Sequence, residues 1–478
     1  MRILRIVAAL LLTVGLAVVA RPAAAAEPTV QAAPLANNVH IFYYSWYGSP
    51  QVNGSYRHWP QGGFTPPLSI GANFYPVRGA YDSGDYTGAV EQHMAWIAQA
   101  RIGVIVYSWW GRGSYEDNLA AGVLAAAARH GIRVAWHLEP YSGRTAQSTV
   151  DDINYITGRY GASPAFHRDP AYGNRAPFYV FESLRITDWS ALQQVRSTAI
   201  VLAQTTDTSK VANFGGMYTY DAIAGNTAPG WANAAAYCRA NGLVWAPSIG
   251  PGYIDDRAVP GNTTPTLDRE NGATYDRQWT NALNNGANWI SITSFNEWHE
   301  GSVIEPASSN PPAGNGYLTF QGAYGTSGTA SETAYLDRTR YWIDRMSPVT
   351  AVSLRARVNG RYVAAENAGA AALIANRTAV GAWEQFERID AGGGAIALRS
   401  RVNGLIVTGG DGSAPLIANR TAIGPTETFQ VVSNADGSVA LRSAATGRYV
   451  AAEGAGASPL IANRTAIGSW ERFDLLPV

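Results

Sequence analysis

Short apolar or β-branched runs alternate with helical patterns from about residue 40 to residue 346. Between these runs, apolar positions such as Val90, Met94 and Ile97 recur at spacings of four and three, as on one face of a helix. Strands that alternate with helices are typical of a parallel sheet, so the predicted fold class is α/β. The predicted strands cover residues 40–44, 103–108, 133–138, 177–181, 199–203, 214–218, 243–247 and 288–294.

Eight strands, each followed by a helix, predict a closed (β/α)8 or TIM barrel over residues 37–346. An open doubly wound sheet is the alternative. No Gly-x-Gly-x-x-Gly follows the first predicted strand, which disfavours a dinucleotide-binding domain.

An internal repeat marks a second domain. The sequence Leu-Ile-Ala-Asn-Arg-Thr-Ala begins at residues 373, 416 and 460, and each copy follows a pair of predicted strands. Trp-Glu-x-Phe ends the first and third copies, whereas the middle copy has Thr426 in place of the tryptophan. Because no single copy can bury its own apolar face, three copies predict an all-β trefoil over residues 350–478.

The N-terminal residues predict export. A charged start is followed by an apolar run over residues 6–20 and by small residues up to Ala26. This arrangement is typical of a cleavable signal peptide, here residues 1–26, and indicates a secreted, extracellular protein. The alternative is a membrane anchor, but the apolar run is shorter than the roughly 20 residues that a spanning helix needs.

The amino-acid composition limits the classes of molecule that the protein is expected to bind. The formal net charge is zero, which argues against nucleic acid, and no membrane partner is expected after signal cleavage. Cys238 is the one cysteine in the sequence, so no intrachain disulfide forms. The chain has 15 Trp and 25 Tyr, whose rings are suited to stacking on sugars, and this favours a polysaccharide or glycan partner.

An acidic cluster follows the eighth predicted strand, where a barrel places its active site. Glu297 and Glu300 lie three residues apart, with Asn296, His299 and Glu305 nearby. Glycosidic cleavage needs one carboxyl group to protonate the leaving oxygen and a second to assist at the sugar. The alternative is that a glutamate here, above all Glu305, only caps or bridges strand ends.

Other predicted strand ends supply aromatic and polar groups on the same rim. Together they favour a carbohydrate cleft, although any one aromatic ring is as well suited to core packing. Neither His-Glu-x-x-His nor a cysteine pair occurs, so no metal is predicted, and a hard-cation site without a recognised ligand spacing is the alternative. The predicted substrate-binding residues are Tyr44, Tyr47, His58, Trp59, Trp109, Trp110, His137, Glu139, Tyr253, Asn296, His299 and Glu305.

Several long motifs in this order resemble those of glycoside hydrolase family 99, the endo-α-1,2-mannosidases and mannanases. They cover residues 42–48, 91–94, 108–111, 137–141, 247–253 and 291–306. The resemblance implies a barrel without a cofactor, endo-action and retention of anomeric configuration. It also implies that Glu297 is the base and Glu300 the general acid/base, with a 1,2-anhydro sugar intermediate. The repeat domain is similar to the fascin-like trefoils of secreted bacterial enzymes.

The leading hypothesis is hydrolysis of α-mannan or high-mannose glycans at α-1,2 linkages. A glycosidase that acts on another α-linked glycan is the second hypothesis. A non-catalytic carbohydrate-binding protein is the third, and the presence of both glutamates weighs against it.

Overall fold

A computed structural model describes residues 35–346, 350–392, 394–420 and 423–478. The chain divides near residue 351 into two compact units. The predicted signal peptide lies outside the described residues. Across the described part of the chain, no helix combines the length and apolar character that a bilayer crossing requires.

The described residues of the first unit contain a nine-stranded parallel sheet, in the order β7-β6-β5-β4-β3-β2-β1-β9-β8. Each predicted strand overlaps an observed one. The strands are β1 (Ala36–Tyr43), β2 (Ile102–Trp109), β3 (Arg133–Leu138), β4 (Ala176–Val180), β5 (Ala199–Gln204), β6 (Gly216–Tyr218), β7 (Val244–Ala246), β8 (Ser248–Ile249) and β9 (Ile290–Ile292).

Pro247 divides the seventh predicted strand into β7 and β8. Proline has no N–H to donate to a ladder, so the strand is interrupted there. β7 pairs with β6, whereas β8 pairs with β9, which in turn pairs with β1. Because the two halves of one segment join opposite ends of the sheet, the strands form a nearly closed, TIM-like barrel.

The helices are α1 (Pro50–Asn53), α2 (Ala89–Gln99), α3 (Tyr115–Arg129), α4 (Ala146–Tyr160), α5 (Trp231–Asn241), α6 (Ala273–Asn284) and α7 (Ala334–Met346). Ser114 caps α3 by accepting from Asp117 N at 3.0 Å, and Gly131 follows its end with a φ of 71°.

The expectation of a helix after every strand is wrong at two places. β4 is followed by the 3-10 turns Ser183–Arg185 and Ser190–Val195, and β5 by Thr208–Lys210. The side chain of Asp207 accepts from Ser209 N at 2.9 Å, a local bond that competes with helix formation. The connection over residues 205–215 is also too short for a helix that would pack along the sheet.

Aromatic rings fill the barrel interior. Phe42 lies 5.1 Å from Tyr220 and 6.0 Å from Tyr218 between ring centroids. Tyr44, two positions beyond Phe42, belongs to the same interior cluster at the carboxyl end of β1. Side chains at alternate positions therefore form the floor beneath that end of the barrel.

In the second unit, twelve strands of the described residues form an antiparallel sheet. Val363 pairs with Ala375, Val407 with Ala418 and Val450 with Ala462, so the three sequence copies share one register. The strands are β10 (Thr350–Ala356), β11 (Arg361–Ala365), β12 (Leu373–Arg377), β13 (Phe386–Gly392), β14 (Ala395–Ser400), β15 (Ile406–Thr408), β16 (Ile417–Arg420), β17 (Phe429–Ser433), β18 (Val439–Ser443), β19 (Tyr449–Ala452), β20 (Leu460–Arg464) and β21 (Phe473–Pro477).

Candidate active site

A tight turn after β9 positions the two predicted catalytic glutamates. Ser294 Oγ accepts from Glu297 N at 2.8 Å, and Glu297 Oε1 accepts from His299 N at 3.2 Å. The 3-10 turn Trp298–Glu300 then brings Glu300 round beside Glu297. The turn ends at Gly301, whose φ of 58° is a left-handed conformation that favours glycine.

The loop after β8 holds this turn in place through hydrogen bonds. Ile254 N donates to Glu300 O at 2.8 Å. The guanidinium of Arg269 donates from Nη2 to Gly301 O at 2.9 Å and to Val303 O at 2.7 Å. A Cβ at Gly301 would lie 2.6 Å from Ile254 Cγ2, so the close approach also requires glycine. The sequence alone does not single out Arg269, because its role depends on a contact between distant segments.

Tyr220 forms the floor of the site beside Glu300. Its hydroxyl lies 2.5 Å from the Tyr44 hydroxyl and donates to Glu300 Oε2 at 3.4 Å. Its ring stacks on His137, with centroids 5.4 Å apart and planes inclined by 17°. Tyr220 was also missed, although it follows β6 directly and the strand-end rule was sufficient to find it.

The third strand contributes a buried acidic group. His137 Nδ1 lies 2.9 Å from Glu139 Oε1, which also accepts from Ser108 Oγ at 2.7 Å. His137 Nε2 lies 3.0 Å from the Tyr218 hydroxyl. The partners of both ring nitrogens fix the imidazole, and the imidazole and Ser108 in turn hold the carboxylate of Glu139.

Burial and neighbouring acids raise the pKa of both central carboxyl groups. Burial is the larger cause at Glu297, followed by the charge of Glu300. For Glu300, burial and then the charge of Asp255 raise the pKa to about 7. Glu139 adds to both effects. Such a pair titrates as a unit, and it holds a transferable proton near neutral pH.

A stack of rings forms one wall. Trp46 lies 4.7 Å from Tyr44 and 4.5 Å from His58 between centroids, and His58 lies 5.9 Å from His299. Burial lowers the pKa of His58 to about 4 and that of His299 to about 3, so both rings are neutral at pH 7. Trp46 was not among the predicted binding residues, although it lies between Tyr44 and Tyr47.

The structure places two other predicted residues at more open positions. Trp110, after β2, is 38% exposed. Tyr253, in the loop after β8, is half-buried and donates from its hydroxyl to Asp255 Oδ2 at 3.0 Å. Within the described residues, no group of three His, Cys, Asp or Glu side chains is arranged to hold a metal ion.

Five predicted binding residues have no exposed surface: Tyr47, Trp59, Trp109, Asn296 and Glu305. The ring of Tyr47 stacks on Trp59 at 4.1 Å. Asn296 Oδ1 accepts from Tyr44 N, and its Nδ2 donates to Tyr44 O, both at 2.8 Å. These two contacts join the end of β1 to the turn that carries Glu297 and Glu300. In this structure protein atoms enclose all five side chains, and their contact with substrate stays a prediction.

The buried side chains of Trp109 and Glu305 also form hydrogen bonds with other protein groups. Trp109 Nε1 donates to Asp117 Oδ1 at 2.9 Å. Glu305 Oε2 accepts from the Tyr81 hydroxyl at 2.8 Å and from Trp298 Nε1 at 2.9 Å. The Glu305 carboxylate therefore holds the turn that carries Glu297 and Glu300 through Trp298. This corresponds to the alternative that the sequence left open for Glu305.

A nearly closed parallel barrel with a buried and a half-buried carboxyl group side by side at the carboxyl ends of its strands is the arrangement of a glycoside hydrolase.

The comparisons identify the family. Residues 34–348 match the model of glycosyl hydrolase family 99, and the chain belongs to that family. It is 36% identical over 371 residues to the Mus musculus glycoprotein endo-alpha-1,2-mannosidase, which covers 68% of this chain and 79% of the relative. It is 34% identical over 359 residues to a Homo sapiens glycoprotein endo-alpha-1,2-mannosidase-like protein, with coverages of 66% and 77%.

A solved structure agrees with this assignment. The GH99 endo-alpha-mannosidase from Bacteroides thetaiotaomicron is 33% identical, with a TM-score of 0.58. The match covers 65% of this chain and 98% of that one. The protein is thus an enzyme of the glycoside hydrolase class.

Proposed function

We propose that this chain is a secreted, retaining glycoside hydrolase of the endo-α-1,2-mannosidase type, which cleaves mannan or high-mannose glycans. The observation that carries the proposal is the pair of buried Glu297 and half-buried Glu300 at the mouth of a family 99 barrel. The names of the relatives support the choice of mannose as the substrate sugar.

Glu300 is proposed as the general acid and then the general base. A carboxyl group with a pKa of about 7 retains a proton that a free glutamate loses, and it can return to that state after each cycle. In the first step Glu300 protonates the departing glycosidic oxygen while the bond from C1 to that oxygen breaks. In the second step it accepts a proton from the attacking water.

Glu297 is proposed as the base for the substrate's 2-hydroxyl. It takes that proton while O2 forms a bond to C1, which gives a 1,2-anhydro sugar. Water then attacks C1, the bond from C1 to O2 breaks, and Glu297 returns its proton to O2. Two displacements at C1 retain the anomeric configuration. Burial raises the pKa of Glu297, and this favours the neutral acid that it becomes on taking the proton.

The walls are suited to a neutral sugar. Tyr44 and Trp46 present stacked rings, and uncharged His58 and His299 offer hydrogen bonds without a fixed positive charge. The exposed ring of Trp110 supplies a further stacking surface. These features support a neutral glycan as the substrate.

Product analysis tests the proposal. The full chain is incubated with defined, reduced mannose oligosaccharides and with a high-mannose glycan, and products are followed by mass spectrometry and by NMR of the new anomeric centre. We expect internal cleavage at α-1,2 linkages with retention. Cleavage only of a glycan that lacks mannose would favour the second hypothesis, and no cleavage of any α-glycan would favour a non-catalytic binder.

We also propose that the signal peptide is removed on export and that the C-terminal unit is a trefoil that binds a polysaccharide. The three shared strand registers support the threefold repeat. N-terminal sequencing of protein recovered from the culture medium is expected to begin near Glu27. Protein that remains in the cell with Met1 in place would contradict export.

A further inference from the structure

The first and third repeats of the C-terminal unit carry the same side-chain cluster. In the first, Arg377 Nη2 lies 2.8 Å from Glu366 Oε1, and the guanidinium carbon lies 5.7 Å from the centroid of the Trp383 ring. Arg377 Nε lies 3.7 Å from Glu384 Oε1. The guanidinium is therefore held beside the indole by two carboxylates.

The third repeat reproduces these contacts closely. Arg464 Nη2 lies 2.5 Å from Glu453 Oε1, Arg464 Nε lies 3.7 Å from Glu471 Oε1, and the guanidinium carbon again lies 5.7 Å from the Trp470 centroid. The arginine side chains are 37% and 38% exposed, and Glu366 and Glu453 are each 24% exposed. The two clusters are equivalent in geometry and in exposure.

The middle repeat separates the residues that the fold needs from those it does not. All three repeats keep a glutamate that accepts from a glycine N–H three residues earlier: Glu384 from Gly381 at 2.7 Å, Glu427 from Gly424 at 3.0 Å and Glu471 from Gly468 at 2.6 Å. This contact belongs to the fold of the repeat.

The middle repeat has lost the other half of the cluster. Thr426 stands where the others have tryptophan, and Gly410 stands where they have Glu366 or Glu453. Arg420, without that acid and that ring, is 55% exposed. The pairing of Val407 with Ala418 is nevertheless retained. A repeat thus folds without the tryptophan and the second acid, so folding alone does not require them.

We propose that Trp383 and Trp470 are the platforms of two equivalent sites, each for one neutral hexose unit of a polysaccharide. The half-buried indole offers an apolar face to the C–H face of a sugar ring. The partly exposed guanidinium and the carboxylate of Glu366 or Glu453 can donate to and accept from its hydroxyl groups. One arginine and two glutamates give each cluster a net negative charge, which disfavours acidic polymers.

This inference deepens the proposed polysaccharide binding by the C-terminal unit and is independent of the barrel chemistry. The test is affinity electrophoresis of the full chain in native gels that contain yeast α-mannan, laminarin or galactan. All proteins carry Glu300→Gln so that polymer is not cut. In parallel, hydrolysis of a soluble mannose oligosaccharide by the chain with Glu300 intact reports on the proposed catalytic function alone.

We expect retardation by at least one of these neutral polysaccharides. Trp383→Ala and Trp470→Ala are each expected to weaken the association roughly 2- to 10-fold, and the double variant to abolish retardation by laminarin or galactan, which the proposed barrel site does not cleave. Thr426→Ala is the matched control in the middle repeat and is expected to migrate like the parent. The pair Glu366→Gln and Glu453→Gln, which keeps both indoles, is expected to weaken retardation as well.

Four outcomes overturn the proposal. If the parent is retarded but the double tryptophan variant, folded by circular dichroism, is retarded equally, the two proposed sites are wrong. An effect of only one tryptophan refutes equivalence. No retardation of the parent in any gel refutes polysaccharide binding itself. Should the tryptophan variants unfold, unchanged retardation of the double glutamine variant would refute the sites independently.

Discussion

The hydroxyl of Tyr220 donates a hydrogen bond to Glu300 Oε2 across 3.4 Å. This bond stabilises the ionised carboxylate and therefore opposes burial and Asp255, which raise the pKa of Glu300 to about 7. The protonation state of the proposed acid is thus set by opposing contributions from two different strand ends.

Removal of the tyrosine hydroxyl is expected to raise the pKa of Glu300. In Tyr220→Phe, the ionised carboxylate loses a donor, so the acid stays protonated to higher pH. The basic limb of the kcat/KM profile on a mannose oligosaccharide should therefore shift to higher pH. Tyr172→Phe, in the connection before β4, is the control. A shift in the opposite direction would contradict the role given to this bond.

Neutralisation of Asp255 is expected to have the opposite effect. Its charge is the largest cause after burial of the raised pKa of Glu300. In Asp255→Asn the basic limb should move to lower pH, because Glu300 then loses its proton more readily. Asp256→Asn, at the exposed neighbouring position, is the matched control. Equal profiles for the two variants would show that Asp255 does not act on Glu300.

Hydrophobic patterning was sufficient to predict the strands and the carboxyl pair. β3 spans the predicted residues 133–138, and Glu297 and Glu300 follow the eighth predicted strand as expected. Such features depend on local sequence and on the rule that a barrel's active site lies at its strand ends. The separate strands β7 and β8 were missed, although Pro247 is a visible reason for the break.

Hydrophobic patterning does not predict contacts between distant segments of the chain. Arg269 reaches Gly301 across 2.9 Å, and Asp255 affects Glu300, but no periodicity in the sequence connects these residues. The same limit applies to the buried aromatic rings. Trp59 and Trp110 both follow strand ends, yet the first has no exposed surface and the second is 38% exposed. Only the folded structure distinguishes a buried aromatic side chain from an exposed one.

Glu305 is expected to matter for stability more than for substrate affinity. Its carboxylate accepts from Tyr81 and Trp298 and lies 3.1 Å from His93 Nε2, entirely out of solvent. Glu305→Gln replaces one acceptor by a donor and should lower the free energy of unfolding by about 1–3 kcal/mol. Urea denaturation and KM measure the two effects. Unchanged stability with a raised KM would restore Glu305 as a substrate ligand.

Glu300→Gln is expected to lose activity and to gain stability at alkaline pH. Loss of the proton donor should reduce kcat roughly 10²–10⁴-fold on an unactivated glycan. Because the folded pKa of about 7 exceeds the unfolded value of 4.5, the wild-type enzyme loses stability as pH rises between them. The melting temperature of the variant should therefore exceed that of the wild-type enzyme at pH 8 and approach it at pH 4. Equal melting temperatures at pH 8 would contradict the raised pKa.

The role of Glu297 distinguishes two chemical routes. If Glu297 attacks C1 directly, the enzyme forms a glycosyl ester and the 2-hydroxyl is not consumed. If Glu297 deprotonates that hydroxyl, the reaction cannot proceed without it.

We expect a 2-deoxy mannoside to be inert, even though replacing the electron-withdrawing hydroxyl by hydrogen would ease an oxocarbenium-like transition state. Intrinsic reactivity and the anhydro-sugar route thus predict opposite results for one substrate. A 2-deoxy-2-fluoro mannosyl donor supplies the second measurement, because it also lacks the hydroxyl but stabilises any ester that forms. Mass spectrometry of the intact enzyme and of its peptides should show no adduct. A stable adduct on Glu297, absent from Glu297→Gln, would establish direct attack and exclude the 1,2-anhydro intermediate.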